Sequence, residues 1–348
     1  MKVGLLHPRA GAAGIWAPSL DAAATLGAAE INAAGGILGE DIELVFADCG
    51  VTVGEAIDAV DTLIDIDSAD VIIGGHPSNL RDAVSERVSG KAPYIYTAQF
   101  EGIACGPSTV AIGSTDRELM APALHWLSES MRAERFFFVG NDYIWPRMAY
   151  AATRGLVADI GGRLVGHCFL SDRFIADPGV LKKIARSGAQ VVVQALVGQC
   201  AIDFNRAFAA AALDEKILRF GLLVDETVIC GIGAEASANL FTSAHYFANW
   251  HSRQNDAFLE RYHGAFGEWA PPVSAASVGC YEAFHVLAGM ARKLGSRKGG
   301  DLARHLNDRS VRPAARNLLR DKPIGRSPRV QLGAAEGATI RVIAEFAA

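Results

Sequence analysis

Short runs rich in Val, Ile, Leu and Phe alternate with longer amphipathic stretches from the first residue to about residue 243, and this rhythm narrows the fold more than any other feature of the chain. Strand-length apolar runs separated by helix-length segments are the pattern of βαβ units, which build parallel sheets. The runs predict strands at residues 3–7, 42–47, 71–74, 94–96, 136–140, 165–169, 191–195 and 219–223. Helices are expected near residues 19–34, 54–65, 79–89, 117–130, 147–160, 179–186 and 201–212, with a shorter one after Leu223. Where the first helix ends at Ala33-Ala34 it meets Gly35-Gly36, residues that take left-handed φ at little cost, and the chain turns into the second strand.

After Tyr246 the rhythm changes. A helix around residues 255–266 is followed by a long apolar one over 274–294 with no strand between them, which reads as a return into the first domain. A basic, proline-bearing stretch, RSVRPAARNLLRDKPIGRSP, precedes two short strand-like pieces at 330–332 and 340–343. At about 100–200 residues per domain, 348 residues hold about two domains. Half the residues are apolar and the formal net charge is −5, so the composition offers no basic field for nucleic acid and no acidic, disordered tail. The six cysteines form no CxxC pair, which argues against a zinc site or a disulfide framework.

Open α/β sheets bind ligands where strands end and loops lead into the next helices. After the third strand the chain reads GGHPSNLRDAVSERV, which places Ser78 at an expected N-cap with the helix beginning at Asn79. Such a terminus offers amides and a hydroxyl to a ligand oxygen; capping alone also explains the serine. The next strand brings Tyr96, Thr97, Ala98 and Gln99 to the same rim, where turn roles are the alternative. The strand FFFVG leads into Asn141, Asp142, Tyr143, Trp145 and Pro146; aromatic residues in such a turn cannot all be core, which favours binding.

The segments GGILGEDIELVFAD, GGHPSN, YIYTAQFEG, FVGNDYIWPR, VVVQALVGQCAIDFNRAF and AHYFANWHSRQNDAFLERYHGAF occur in the order found in type I periplasmic binding proteins. The chain resembles their amide- and urea-binding branch over nearly its whole length. GNDYIWPR and the tract from Val191 to Phe208 are most similar to the cytoplasmic amide sensors that negatively regulate aliphatic amidase operons.

The resemblance implies an α/β fold of two doubly wound parallel-sheet lobes joined by a three-crossing hinge and closing on a small ligand. One lobe would be residues 1–118 with 248–328, the other 119–247 with 329–348. Carried across by position, the ligand-binding residues would be Ser78, Tyr96 and Ala98 from the first lobe. Tyr143 and Trp145 would close over the ligand, Val197 would line the second side, and the turn at Val224-Asp225-Glu226 would complete it. Where Ala98 stands, the amide sensor has a hydroxyl-bearing residue, so one hydrogen bond is missing unless Gln99 or Thr97 replaces it. In amino-acid-binding relatives an acidic residue near LLVDETVI pairs with the ligand ammonium, a part open to Asp225 or Glu226. The alternative is that Asp225 caps the following short helix with Glu226 in its first turn.

Catalytic signatures are missing: there is no GxSxG, HExxH or GxxxxGK[ST], and the nine histidines lack metal-ligand spacing. Cys200 reads as a small apolar side chain opening a helix, and GIGAEA follows a helix where a dinucleotide fingerprint would open one. The basic run between Arg309 and Arg329 reads as a solvated loop. A non-enzymatic protein without metal or cofactor is therefore expected, binding a small amide, a urea-like compound or an amino acid. Its partner would be an RNA-binding antiterminator if the chain is cytoplasmic or an ABC permease if it is exported, with no direct nucleic-acid contact and homo-oligomer formation left open. The N-terminal MKVGLLHPRAGAAG is too weakly apolar for a secretory signal, so a cytoplasmic place is expected, with a periplasmic one the alternative if a leader has been removed.

Overall fold

The computed structural model describes residues 1–171, 178–313, 318–319 and 329–347. In chain order the elements are β1 (Lys2–His7), α1 (Ala17–Ala33), β2 (Glu43–Asp48), α2 (Val53–Asp61), β3 (Val71–Gly74), α3 (Ser78–Val88), β4 (Tyr94–Tyr96) and β5 (Thr109–Ala111). Then come α4 (Asp116–Met131), β6 (Arg135–Asn141), α5 (Ile144–Asp159), β7 (Arg163–Leu170), α6 (Pro178–Arg186), β8 (Val191–Ala195), α7 (Gln199–Ala210), β9 (Leu218–Gly221), α8 (Glu226–Ile232) and β10 (Leu240–Ala244). The chain finishes with α9 (Arg253–Phe266), α10 (Ala275–Leu294), α11 (Gly299–His305), β11 (Arg329–Glu336) and β12 (Thr339–Ala347). Met1–Gly113 and His251–Arg326 make one compact unit, Ser114–Trp250 and Ser327–Ala348 the other, so the chain passes between them three times.

The first lobe holds a five-stranded sheet in the order β2-β1-β3-β4-β5, parallel throughout. Leu6, Ile72, Tyr94 and Tyr96 from the strands pack with Val60, Leu80, Val84 and Val88 from α2 and α3. α1 packs along α10, and Gly27 makes the approach possible: a Cβ there would meet the rings of Tyr281 and Phe284 at 3.3 and 3.4 Å. Asn32, near the end of α1, binds the backbone of Ile42 on both its N–H and its C=O, at 2.7 and 2.9 Å. That clamp, with Gly35 and Gly36 at φ 93° and 72°, realises the turn expected at this point.

The second lobe holds seven strands in the order β12-β11-β10-β9-β8-β6-β7. β7, β6, β8, β9 and β10 are parallel, whereas β11 and β12 form an antiparallel hairpin added beside β10. The α/β character and doubly wound parallel sheets agree with expectation; this hairpin makes the second sheet mixed.

β5, β10 and α11 were not expected from the sequence. β10 reads LFTSA, and its Thr and Ser mask a fully buried strand because Ser243 satisfies its hydroxyl on the carbonyl of Leu119, at 2.9 Å. β5 is only three residues long. β11 and β12 extend well beyond the expected pieces, since a hairpin pairs small and charged residues as readily as apolar ones. Most of the basic run between Arg309 and Arg329 lies outside the described residues. Among the described residues no helix is long and apolar enough to cross a membrane.

Candidate functional site

The carboxyl ends of the first lobe's strands lead directly to the α3 start. Pro77 precedes the helix with φ −58° and ψ 146°, and Ser78 is the first helical residue. This corrects the expected N-cap. Proline fixes an extended entry to the helix, so the serine is carried one position inward and its hydroxyl makes no cap bond. The Ser78 side chain is buried and its Oγ has no hydrogen-bond partner.

Beneath this turn lies a satisfied polar cluster. The Tyr96 hydroxyl donates to the carbonyl of His76 at 2.7 Å. His76 Nδ1 faces the carbonyl of Pro77 at 3.1 Å and its Nε2 faces the Tyr94 hydroxyl at 2.7 Å. A carbonyl only accepts, so Nδ1 carries the proton and Nε2 accepts from Tyr94. Burial pushes the His76 pKa down to about 4, which keeps the ring neutral. Tyr96 therefore packs into the core of this lobe, a role its position at the end of β4 did not reveal.

Ala98 and Gln99 follow β4 and are half-buried. The Thr97 hydroxyl donates to the carbonyl of Gly74 at 3.2 Å, which commits it within this lobe. Gly113 lies so close that a Cβ there would sit 2.0 Å from the Ala98 carbonyl oxygen. Arg81, one helical turn beyond Ser78, forms a buried ion pair with Glu101 at 2.8 Å and lies over the rings of Tyr96 and Phe100. It ties α3 to the segment bearing Ala98 and Gln99. Nothing in the sequence distinguishes Arg81 from a solvated helix arginine.

In the second lobe β6 ends at Asn141. Tyr143 stands in extended conformation at the start of α5, half-buried, its ring 6.3 Å from that of Trp145. Trp145 itself is buried, and its indole N–H donates to Asp116 at 2.9 Å, which marks it as a packed side chain of this lobe. A buried indole needs a partner for its N–H, and α4 supplies one. Val197, just after β8, is buried and donates its N–H to Asn141 Oδ1 at 2.9 Å. Cys200 is buried in the first turn of α7, as read from the sequence.

The two carboxylates after β9 take different parts. Asp225 caps α8 by accepting the N–H of Val228 at 3.1 Å. Glu226 turns its carboxyl inward, where Oε1 accepts the N–H of Ala248 at 2.6 Å and Oε2 is buried without a partner. Burial, with Asp225 beside it, raises the Glu226 pKa to about 8. Thr227 Oγ1 and Asn141 Nδ2 are also buried without a partner. Among the described residues no group of three or more His, Cys, Asp or Glu is placed to hold a metal ion.

Residues 1–325 match the family model described as Periplasmic binding protein. Solved structures with the same fold include a solute-binding protein of an ABC transporter from R. palustris in complex with 4-hydroxybenzoate, 18% identical, with a TM-score of 0.84 over 99% of this chain and 96% of that one. The branched-chain amino acid transporter substrate binding protein LivJ from Streptococcus pneumoniae, in complex with isoleucine, is 17% identical, with a TM-score of 0.82 over 100% of this chain and 99% of that one. A leucine binding protein, LivK, from Thermotoga maritima is 17% identical, with a TM-score of 0.81 over 99% and 98%. At such identities the likeness carries the fold, while the family match spans most of the sequence: the chain belongs to the periplasmic binding protein family.

Proposed function

We propose that this protein is the solute-binding component of an ABC transporter that takes a small amino acid between its two lobes. The observation that carries this reading is the Glu226 carboxyl, which keeps one buried oxygen without a partner at a turn following a strand end. A ligand ammonium would supply this oxygen with a donor and a compensating charge, displacing the proton that burial otherwise keeps on the carboxyl. In the first lobe the Ser78 hydroxyl at the start of α3 suits a ligand carboxylate, since the positive end of an eleven-residue helix lies behind it. Tyr143 and Gln99 are the half-exposed side chains that would complete the shell, with Val197 and Ala98 as apolar lining. Closure on the ligand would present a changed surface to a membrane permease, which places the protein outside the cytoplasmic membrane. The family and the transporter neighbours support this reading over a cytoplasmic regulator.

A second reading keeps the amide or urea-like ligand and an RNA-binding antiterminator as partner. The GNDYIWPR motif favours it, with Tyr143 half-exposed just beyond β6. A neutral amide would donate to Glu226 without supplying a charge.

Calorimetric titration with leucine, isoleucine, valine, acetamide, urea and 4-hydroxybenzoate separates the two. Binding of amino acids alone supports the transport reading. Binding of acetamide or urea alone overturns it in favour of the amide sensor, and binding of the benzoate alone would remove the ammonium role from Glu226.

A further inference from the structure

Asn141 is the last residue of β6 and is 1% exposed. Its carboxamide has a decided orientation: the Val197 N–H only donates, so the atom facing it at 2.9 Å is Oδ1. The side chain thereby reaches across from the end of β6 to the turn after the neighbouring strand β8. The frame is tight on the other side too, because a Cβ on Gly140 would meet the Pro146 side chain of α5 at 2.7 Å. With Oδ1 committed, Nδ2 is left buried and without a partner, at the edge of the sheet where open α/β folds receive their ligands.

The choice of residue is informative. An aspartate would accept the Val197 N–H more strongly, through a charge-assisted bond, and would serve as well to link the two strand ends. Asparagine spares this buried position a charge and adds an N–H₂ donor. On the same lobe Glu226 Oε2 and Thr227 Oγ1 are likewise buried without partners, in the turn that follows β9. Donor and acceptor atoms thus stand beyond separate strand ends of one sheet.

We propose that Asn141 is a further ligand-recognition residue, whose Nδ2 donates a hydrogen bond to an oxygen acceptor, carboxylate or carbonyl, of the bound solute. This deepens the solute-binding reading and rests on it. Glu226 then selects for a donor group on the ligand and Asn141 for an oxygen, so a solute with only one of the two binds weakly.

The test is the Asn141→Asp variant, which keeps the acceptor for Val197 and replaces the donor by a second acceptor. Leucine, acetamide and 4-hydroxybenzoate are titrated into the wild-type protein and the variant by calorimetry, with thermal unfolding of each unliganded protein as the folding control. The expected result is a loss of affinity of about 30-fold or more for whichever probe the wild type binds, in a variant that still unfolds cooperatively, though at a lower temperature because a carboxyl is buried. Wild-type affinity in the variant overturns the proposal. A second measurement needs no variant: on addition of that probe, the Asn141 side-chain N–H₂ pair in a ¹H–¹⁵N spectrum shifts and gains protection from exchange. An unmoved pair overturns the proposal even if Asn141→Asp fails to fold. Binding of none of the three probes by the wild type would instead overturn the solute-binding reading, and this inference with it.

Discussion

Arg81 and Glu101 meet at 2.8 Å with both side chains almost wholly shut off from water. The contact is made by Glu101 Oε2, while Oε1 is buried without a hydrogen-bond partner, and the exposed Asp82 carboxylate touches the far side of the guanidinium at 3.2 Å. The pair couples the first turns of α3 to the loop after β4, so the placement of Ser78 relative to Ala98 and Gln99 depends on it. Because desolvation opposes a buried pair, breaking it is more costly than removing it. Arg81→Met alone is expected to cost about 3–5 kcal/mol, and Arg81→Met with Glu101→Leu much less. A double-mutant cycle by urea unfolding measures this. Equal losses in the single and double variants would show that packing, not the stranded charge, decides the cost.

Ser78→Ala tests the difference between a cap and a free hydroxyl. A capping serine would cost about 0.5–2 kcal/mol on replacement by alanine. The Ser78 Oγ instead has no bond to lose, so unliganded stability should be unchanged or slightly raised, while affinity for the ligand falls. A destabilised unliganded variant would restore the N-cap role.

Glu226 makes the second lobe sensitive to alkali. Its folded pKa of about 8 lies above the usual carboxylate value of 4.5, so the folded state holds a proton that the unfolded state has released. Stability from this group is therefore fully present below about pH 4.5 and is lost as pH rises towards 8, with a total on the order of a few kcal/mol. Glu226→Gln should flatten that decline and unfold at a higher temperature than the wild type at pH 8–9. Parallel melting curves at pH 5, 7 and 9 would show it; curves that keep a constant separation would mean that the carboxyl is ordinarily ionised.

His76 gives the first lobe the opposite slope. Its folded pKa of about 4 lies below the unfolded value near 6.5, because burial disfavours the charged ring. The stability it contributes is present above pH 6.5 and is lost as pH falls through that value towards 4, at about 1.4 kcal/mol per unit. His7, buried beside Asp21 and also lowered by burial, adds to the same trend. Hydrogen exchange, corrected for intrinsic rates, should show larger opening in the strands of the first lobe at pH 5 and of the second at pH 8. Uniform changes across both lobes would contradict the assignment.

The sequence by itself determined the alternation of strands and helices, because a strand buried in a parallel sheet must be apolar along its length and its helix must be amphipathic. VIIG, FFFVG and VVVQA could hardly be anything else. It also determined which turns lie at strand ends, and so the neighbourhood of Ser78, Tyr143 and Glu226. Tertiary structure decided the state of each side chain there. Periodicity places Tyr96 at a strand end but not its hydroxyl on the His76 carbonyl, and it cannot show that α4 supplies Asp116 to the indole of Trp145. Asp225 and Glu226 are adjacent and chemically alike, yet one caps a helix and the other is folded against Ala248. For Asn141 the sequence shows only a place at the rim, because its carboxamide is oriented by a backbone N–H 56 residues away in the chain. Backbone patterns are local and repeat along the sequence, whereas hydrogen-bond satisfaction depends on which distant donor or acceptor the fold brings within 3 Å.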